Sequence, residues 1–99
     1  MKLFNFIKKR SKTPAQILRH LAVHIPTSYT AHHQFKNYLE FLEHREWELA
    51  LDSLIELADE TPGYAFSDTF WLGLAEAADK MNLDKTREYC KSKSTGTTL

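Results

Sequence analysis

Residues 38–60 read YLEFLEHREWELALDSLIELADE, a run without Gly or Pro that carries two apolar phases instead of one. Phe35, Tyr38, Leu39 and Leu42 share one helical face. Trp47, Ala50, Leu51, Leu54, Leu57 and Ala58 share another. Leu42 and Trp47 are five positions apart, and at about 100° per residue that spacing rotates the second stripe off the first. A single continuous helix would leave one stripe in water. The pattern therefore predicts two helices with a tight bend at His44, Arg45 and Glu46, and a hairpin whose second arm is the central helix.

The polar side of that second arm is almost purely acidic. Glu48, Asp52, Glu56 and Asp59 recur at spacings of four, four and three, and Glu60 lies beside them. Like charges at such spacings cost a few tenths of a kcal/mol per pair, so folding alone does not ask for the stripe. Its natural complement is a basic protein surface, above all one that itself binds phosphate. Affinity also needs bulky anchors inside a charged rim. Phe41 and Leu49 are the candidates, since both fall off the main apolar faces and beside acids. With Glu43, Glu46, Glu48, Asp52, Glu56 and Asp59 they make the expected partner-binding set.

The flanking chain reads as helices too. Thr13 and Pro14 supply an N-cap and a first helical residue. Ile17, Leu18, Leu21, Ala22 and Ile25 follow at helical spacing until Pro26 stops the run. Thr27 and Ser28 are expected to cap the next helix, carrying Ala31, Phe35, Tyr38, Leu39 and Leu42. Thr61, Pro62 and Gly63 read as a turn in which Gly supplies a positive φ. Ser67 or Asp68 then caps a helix with Phe70, Trp71, Leu74, Ala77, Ala78 and Met81 inward. Gly73 inside it suggests a close helix approach, because Gly costs up to ~1 kcal/mol there relative to Ala. Asn82 suits a left-handed closing residue with Leu83 as its apolar contact. Asp84 is expected to cap a last short helix with Cys90 inward.

No strand pattern occurs, and the chain holds a single Val. The expected fold is all-α, a compact bundle of four to five short helices around the hairpin. Ninety-nine residues suit one domain, here placed at 13–91, with a basic segment at 1–12 and a frayed tail at 92–99. The lone Cys90 permits no internal disulfide and fits a reducing cytoplasm. Residues 1–10 do not read as a secretory signal, and no stretch approaches the length of a membrane span.

Net charge is zero but unevenly spread. Residues 1–36 hold seven bases and no acid, while residues 37–79 hold eleven acids against Arg45 alone. Leu3, Phe4, Phe6 and Ile7 followed by Lys8, Lys9, Arg10 and Lys12 read as a short turn packed on the body. The sharper alternative is a basic anchor for a membrane or nucleic acid. An acidic middle opposes a duplex lying across the body, so neither is the expected partner.

Catalysis and metal binding find little support. His20 and His24 are four apart, a spacing that can chelate, but no HExxH pattern or Cys pair accompanies them. His32 and His33, as neighbours on a helix, are expected to diverge. Cys90 has no base placed beside it. The glycines are isolated and form no phosphate-cradling loop. No enzyme activity, cofactor or metal is expected.

Tyr38-Leu39, Glu46, Ala50-Leu51, Phe70-Trp71 and Met81 form a pattern of helix, bend, Glu-x-x-x-Ala-Leu, and an aromatic-led Ala-rich helix. Over about residues 36–85 this resembles small helical bacterial immunity proteins of the contact-dependent growth-inhibition and MafI-like type. The resemblance implies a cytoplasmic antitoxin without catalytic residues that binds and blocks a basic toxin domain, often a nuclease. The expectation of a different class is a small helical adaptor whose groove accepts a partner helix.

Overall fold

A computed structural model of the protein describes residues 12–94. The apolar run at 3–7, the bases at 8–10 and the end of the chain at 95–99 lie outside the described residues. Among the described residues there are five α-helices and no strand: α1 (Pro14–His20), α2 (His33–Glu43), α3 (Trp47–Glu60), α4 (Asp68–Lys80) and α5 (Asp84–Lys93). Short 3-10 turns at Leu21–His24 and Thr27–Tyr29 join α1 to α2. None of these helices is long and apolar enough to cross a membrane.

Two helical pairs, α2 with α3 and α4 with α5, make the main packing units, and α1 lies chiefly on α4 while touching α3. One core runs through all of them. Leu18, Tyr38, Leu51, Leu54, Leu57, Phe70, Leu74 and Cys90 are fully buried. The Tyr38 hydroxyl donates to the Leu18 carbonyl and so ties the hairpin to α1. That phenol is pushed up to about 12 by its burial, because a phenolate has no solvent there.

The bend falls where the two phases meet. α2 ends at Glu43 and α3 begins at Trp47. Arg45 turns the chain with φ of 59°, a left-handed conformation that costs an L-residue roughly 1–2 kcal/mol. The turn is closed by the Arg45 amide on the Leu42 carbonyl at 3.1 Å and the Glu46 amide on the Phe41 carbonyl at 2.9 Å. His44 donates from Nδ1 to the Glu40 carbonyl at 2.9 Å. That carbonyl bond, followed by the surrounding glutamates, raises the imidazole above its ordinary value.

Other local signals hold. Thr13 and Gln16 form a reciprocal capping box with Pro14 at the first helical position. Ser67 caps α4 through the Phe70 amide. Asn82 takes φ of 60°, and the Leu83 amide reaches back to the Ala78 carbonyl at 2.9 Å, closing α4 as a Schellman motif does. Gly73 faces Leu21 so closely that a Cβ would stand 2.7 Å from its Cδ2.

Several boundaries differ from expectation. The first apolar run is α-helical only to His20 and continues as a 3-10 turn, although Ile25 is extended before Pro26 as expected. Thr27 and Ser28 belong to the second 3-10 turn, not to a helix cap. Helix α2 begins six residues later than Thr27, at His33, and His32 caps it, so Ala31 is exposed and outside it. Leu39 lies 46 % exposed, because the buried face of α2 is Gln34, Phe35, Tyr38 and Leu42. The turn after α3 carries a Tyr64 amide to Thr61 carbonyl bond of 3.0 Å, but Gly63 has no positive φ. Leu83, not Asp84, occupies the N-cap of α5, while the Asp84 carboxylate accepts from Arg87 at 3.3 Å. The last helix runs through Lys93 and Ser94 is buried, so structure continues past residue 91 into the expected tail.

Candidate protein interface

The acids of α3 form a ridge, and its two flanks meet different neighbours. Toward α2, the Gln34 side-chain amide donates to Glu56 Oε1 at 2.8 Å and to Glu60 Oε2 at 3.5 Å. Gln34 and Glu56 stand eleven residues either side of Arg45, and Phe41 and Leu49 stand four either side. The register that joins the first pair therefore sets the second pair level across the hairpin. Phe41 is half-buried against the core, while Leu49 is 45 % exposed. Of the two expected anchors, Leu49 is thus the open one.

Toward α5, Asp59 is engaged by the protein itself. The Tyr89 hydroxyl donates to Asp59 Oδ2 at 2.6 Å, and Lys93 Nζ lies 3.6 Å from Oδ1. The phenol is raised by that Asp59 bond, and the lysine is raised first by Tyr89 and then by Asp59. Cys90 is buried nearby, its thiol pushed up to about 12 by burial and then by the Asp59 and Asp52 charges. It is a core side chain, far from the thiolate a nucleophile needs.

Glu60 meets two imidazoles. His32 and His33 stack at 4.6 Å, and each Nε2 lies 3.6 Å from Glu60 Oε1. The expected divergence of these neighbours fails because His32 is a cap with extended backbone (φ −67°, ψ 141°), outside the helix. Among the described residues, His32, His33 and Glu60 are the one group of three whose ligand atoms lie within 4.8 Å of one another. Yet His32 Nδ1 accepts the Gln34 amide at 3.0 Å. In the neutral ring the proton then sits on Nε2 and points at the carboxylate, leaving no lone pair there for an ion.

What remains is the outer crest, Glu48, Asp52 and Glu56. Glu48 has no hydrogen-bond or ion-pair partner among the described residues. Asp52 is half-buried, and its carboxyl is raised by that burial first, then by Glu48 and Glu56, with no cation offsetting them. Glu43 and Glu46 are exposed at the adjoining bend. The crest thus keeps an uncompensated negative field beside Leu49. Elsewhere two of the arginines are engaged locally: Arg87 holds Asp79, Asp84 and Glu88 within 2.9–3.3 Å, and Arg19 lies over the Trp47 ring at 5.6 Å.

The stripe read from spacing is therefore only partly free. Glu43, Glu46, Glu48, Leu49 and Asp52 are open to a partner, Glu56 shares its carboxylate with Gln34, and Asp59 is neutralised. Spacing on α3 could not reveal this, because the neutralising groups arrive from Gln34, Tyr89 and Lys93.

A second surface was not anticipated. Between α1 and α4 a largely apolar hollow of about 320 Å³ is lined by Ile17, Leu21, Leu72 and Gly73, with Lys12, His20, His24, Thr69 and Glu76 as its polar walls. His24 packs against Phe70 with ring centroids 5.9 Å apart in a T-shaped contact. The signal was present in the exposed apolar residue Leu72, which no stripe on its helix explains. No protein-family model, curated protein or solved structure matches this chain.

Proposed function

We propose that this protein is an immunity protein that binds and blocks a basic toxin domain, a nuclease in the first instance, through the crest of α3. The supporting observation is Asp52, a carboxyl raised between Glu48 and Glu56 with no cation of its own. A folded protein that holds three carboxylates together without counter-charge gains when a cationic surface docks on them. Such a ridge also steers a basic partner and makes association fall with salt, since exposed charges are screened beyond about 10 Å at 0.1 M. Leu49 and the edge of Phe41 supply contact area within the rim of Glu43, Glu46, Glu48 and Asp52.

The test takes any secreted toxin domain found encoded beside this gene and measures its neutralisation by growth rescue and by surface plasmon resonance. Reversing Glu48, Asp52 and Glu56 together to Lys should cut the association rate at least ~10-fold and flatten its salt dependence. Circular dichroism checks that the bundle is intact. Binding that is unchanged in the folded triple variant removes the crest as the interface.

The hollow between α1 and α4 favours a second reading, an adaptor that seats an apolar helix there. That mode predicts binding indifferent to salt and to the triple reversal, but sensitive to a bulky substitution at Leu72.

A further inference from the structure

Lys93 ends α5 with its ammonium turned back into an aromatic cage. Its Nζ lies 5.1 Å from the Tyr89 ring centroid and 5.8 Å from that of Trp71. Asp59 Oδ1 is 3.6 Å away. The other Asp59 oxygen accepts from the Tyr89 hydroxyl at 2.6 Å, which fixes the carboxylate at the hydroxyl edge of that ring. A cation within about 6 Å of such faces is attracted by the ring quadrupole, and the neighbouring carboxylate adds Coulomb attraction. Anions are disfavoured by the same two features.

Lys93 does not fill the space. A cavity of about 300 Å³ opens past its amine, walled by Pro62, Tyr64, Phe66 and Trp71 with Asp59 at its side. The walls are in ordered contact: the Tyr64 and Phe66 rings meet edge to face at 4.7 Å, and Phe66 lies 4.5 Å from Phe70. The lysine itself remains 39 % exposed at a helix end, so packing does not oblige it to sit there.

We propose that this cage is a binding site for a lysine or arginine side chain of the protein partner, and that Lys93 is an internal stand-in displaced on docking. The cage rests on its own geometry; only the source of the side chain rests on the basic partner proposed above. The incoming group exchanges one cation for another over the same rings and carboxylate, while its stem covers the Pro62 and Tyr64 wall that Lys93 leaves open. Lys93 then swings into water.

The test titrates the protein with n-butylammonium and n-butylguanidinium chlorides, minimal mimics of the two side chains, against matched sodium chloride. Amide and indole shifts at Asp59, Trp71 and Tyr89 are followed by NMR. A tethered competitor acts at an effective concentration of about millimolar or more. Lys93→Ala should therefore bind either probe at least ~10-fold more tightly than wild type, and adding Asp59→Asn should reverse the gain. Both positions are at the surface, and thermal melting verifies that the variants fold. A Lys93→Ala protein that binds no more tightly than wild type overturns the proposal, as does tight binding that survives Asp59→Asn. This result is separable from the crest test: the probes report the cage whether or not the triple reversal alters partner binding.

Discussion

Asp52→Asn should make the isolated protein more stable and, on the proposed function, weaken its grip on a basic partner. Glu48 and Glu56 are each four residues from Asp52 on α3, and like charges at that spacing cost roughly 0.2–0.5 kcal/mol per pair. Two pairs, with partial burial added, set the gain at about 0.5–1 kcal/mol at pH 7. For a domain of this size that is a rise of about 2–8 °C in Tm. The pH dependence has a definite sign. The Asp52 carboxyl is raised in the folded state, so the folded protein takes up its proton before the unfolded chain does. Wild type therefore recovers stability as pH falls through the raised value, and its deficit against the asparagine variant, full at pH 7, closes below that point. Urea unfolding of both proteins at pH 7 and in steps to pH 4, at low salt and in 1 M sodium chloride, measures this directly. The deficit should also shrink in high salt. An asparagine variant less stable than wild type at pH 7, or a difference blind to both pH and salt, would show that Asp52 has a stabilising partner and that the crest is not frustrated.

Tyr38→Phe removes the bond to the Leu18 carbonyl and should cost about 1–2 kcal/mol at pH 7. Because the phenol is held protonated to about 12 by burial, wild type loses this contribution as pH rises from 10 toward 12 while the phenylalanine variant has none to lose, so the two urea midpoints should converge there. Arg45→Gly relieves the left-handed residue at the bend and should raise stability by about 1 kcal/mol in the same assay. Gly73→Ala places a Cβ against Leu21 Cδ2, but Leu21 also borders the α1–α4 hollow and can swing into it. The helix-propensity gain of about 1 kcal/mol then nearly balances the strain. Gly73→Val, branched at Cβ, should instead lower stability by more than about 2 kcal/mol.

The elements that sequence made legible are those specified by neighbours in the chain. The phase break between Leu42 and Trp47 located the bend, and Ser67, Pro14 and Asn82 announced their helix ends through local geometry. The His32 cap escaped because Ser, Thr, Asp and Asn are the usual capping side chains, and Thr27 and Ser28 offered themselves first. Asp84 failed as a cap for a related reason: Asn82 had already turned the chain, which left Leu83 at the boundary and freed the aspartate for Arg87. At the candidate interface, helical spacing aligned four acids on α3 and set Glu60 beside them. What it could not supply was the identity of their tertiary neighbours. Asp59 is quenched by Tyr89 and Lys93, thirty and more residues downstream, in a stretch whose polar composition read as helix end and tail.

That division sharpens which acid calls for a functional explanation. Asp59 has its lysine, Glu60 its two imidazoles and Glu56 the Gln34 amide. Glu48 lies in the first turn of α3, where a carboxylate is favoured by the positive end of the helix dipole without any partner. Asp52 has none of these reasons. It lies one turn beyond Glu48, past the first turn of the helix, is half-buried, and sits between two like charges. Uncharged residues of similar size would serve the fold better at that position. A carboxylate kept there against local electrostatics fits a surface whose counter-charge arrives on another molecule, and Asp52, more than any other acid of the ridge, is the residue on which the proposed contact should depend.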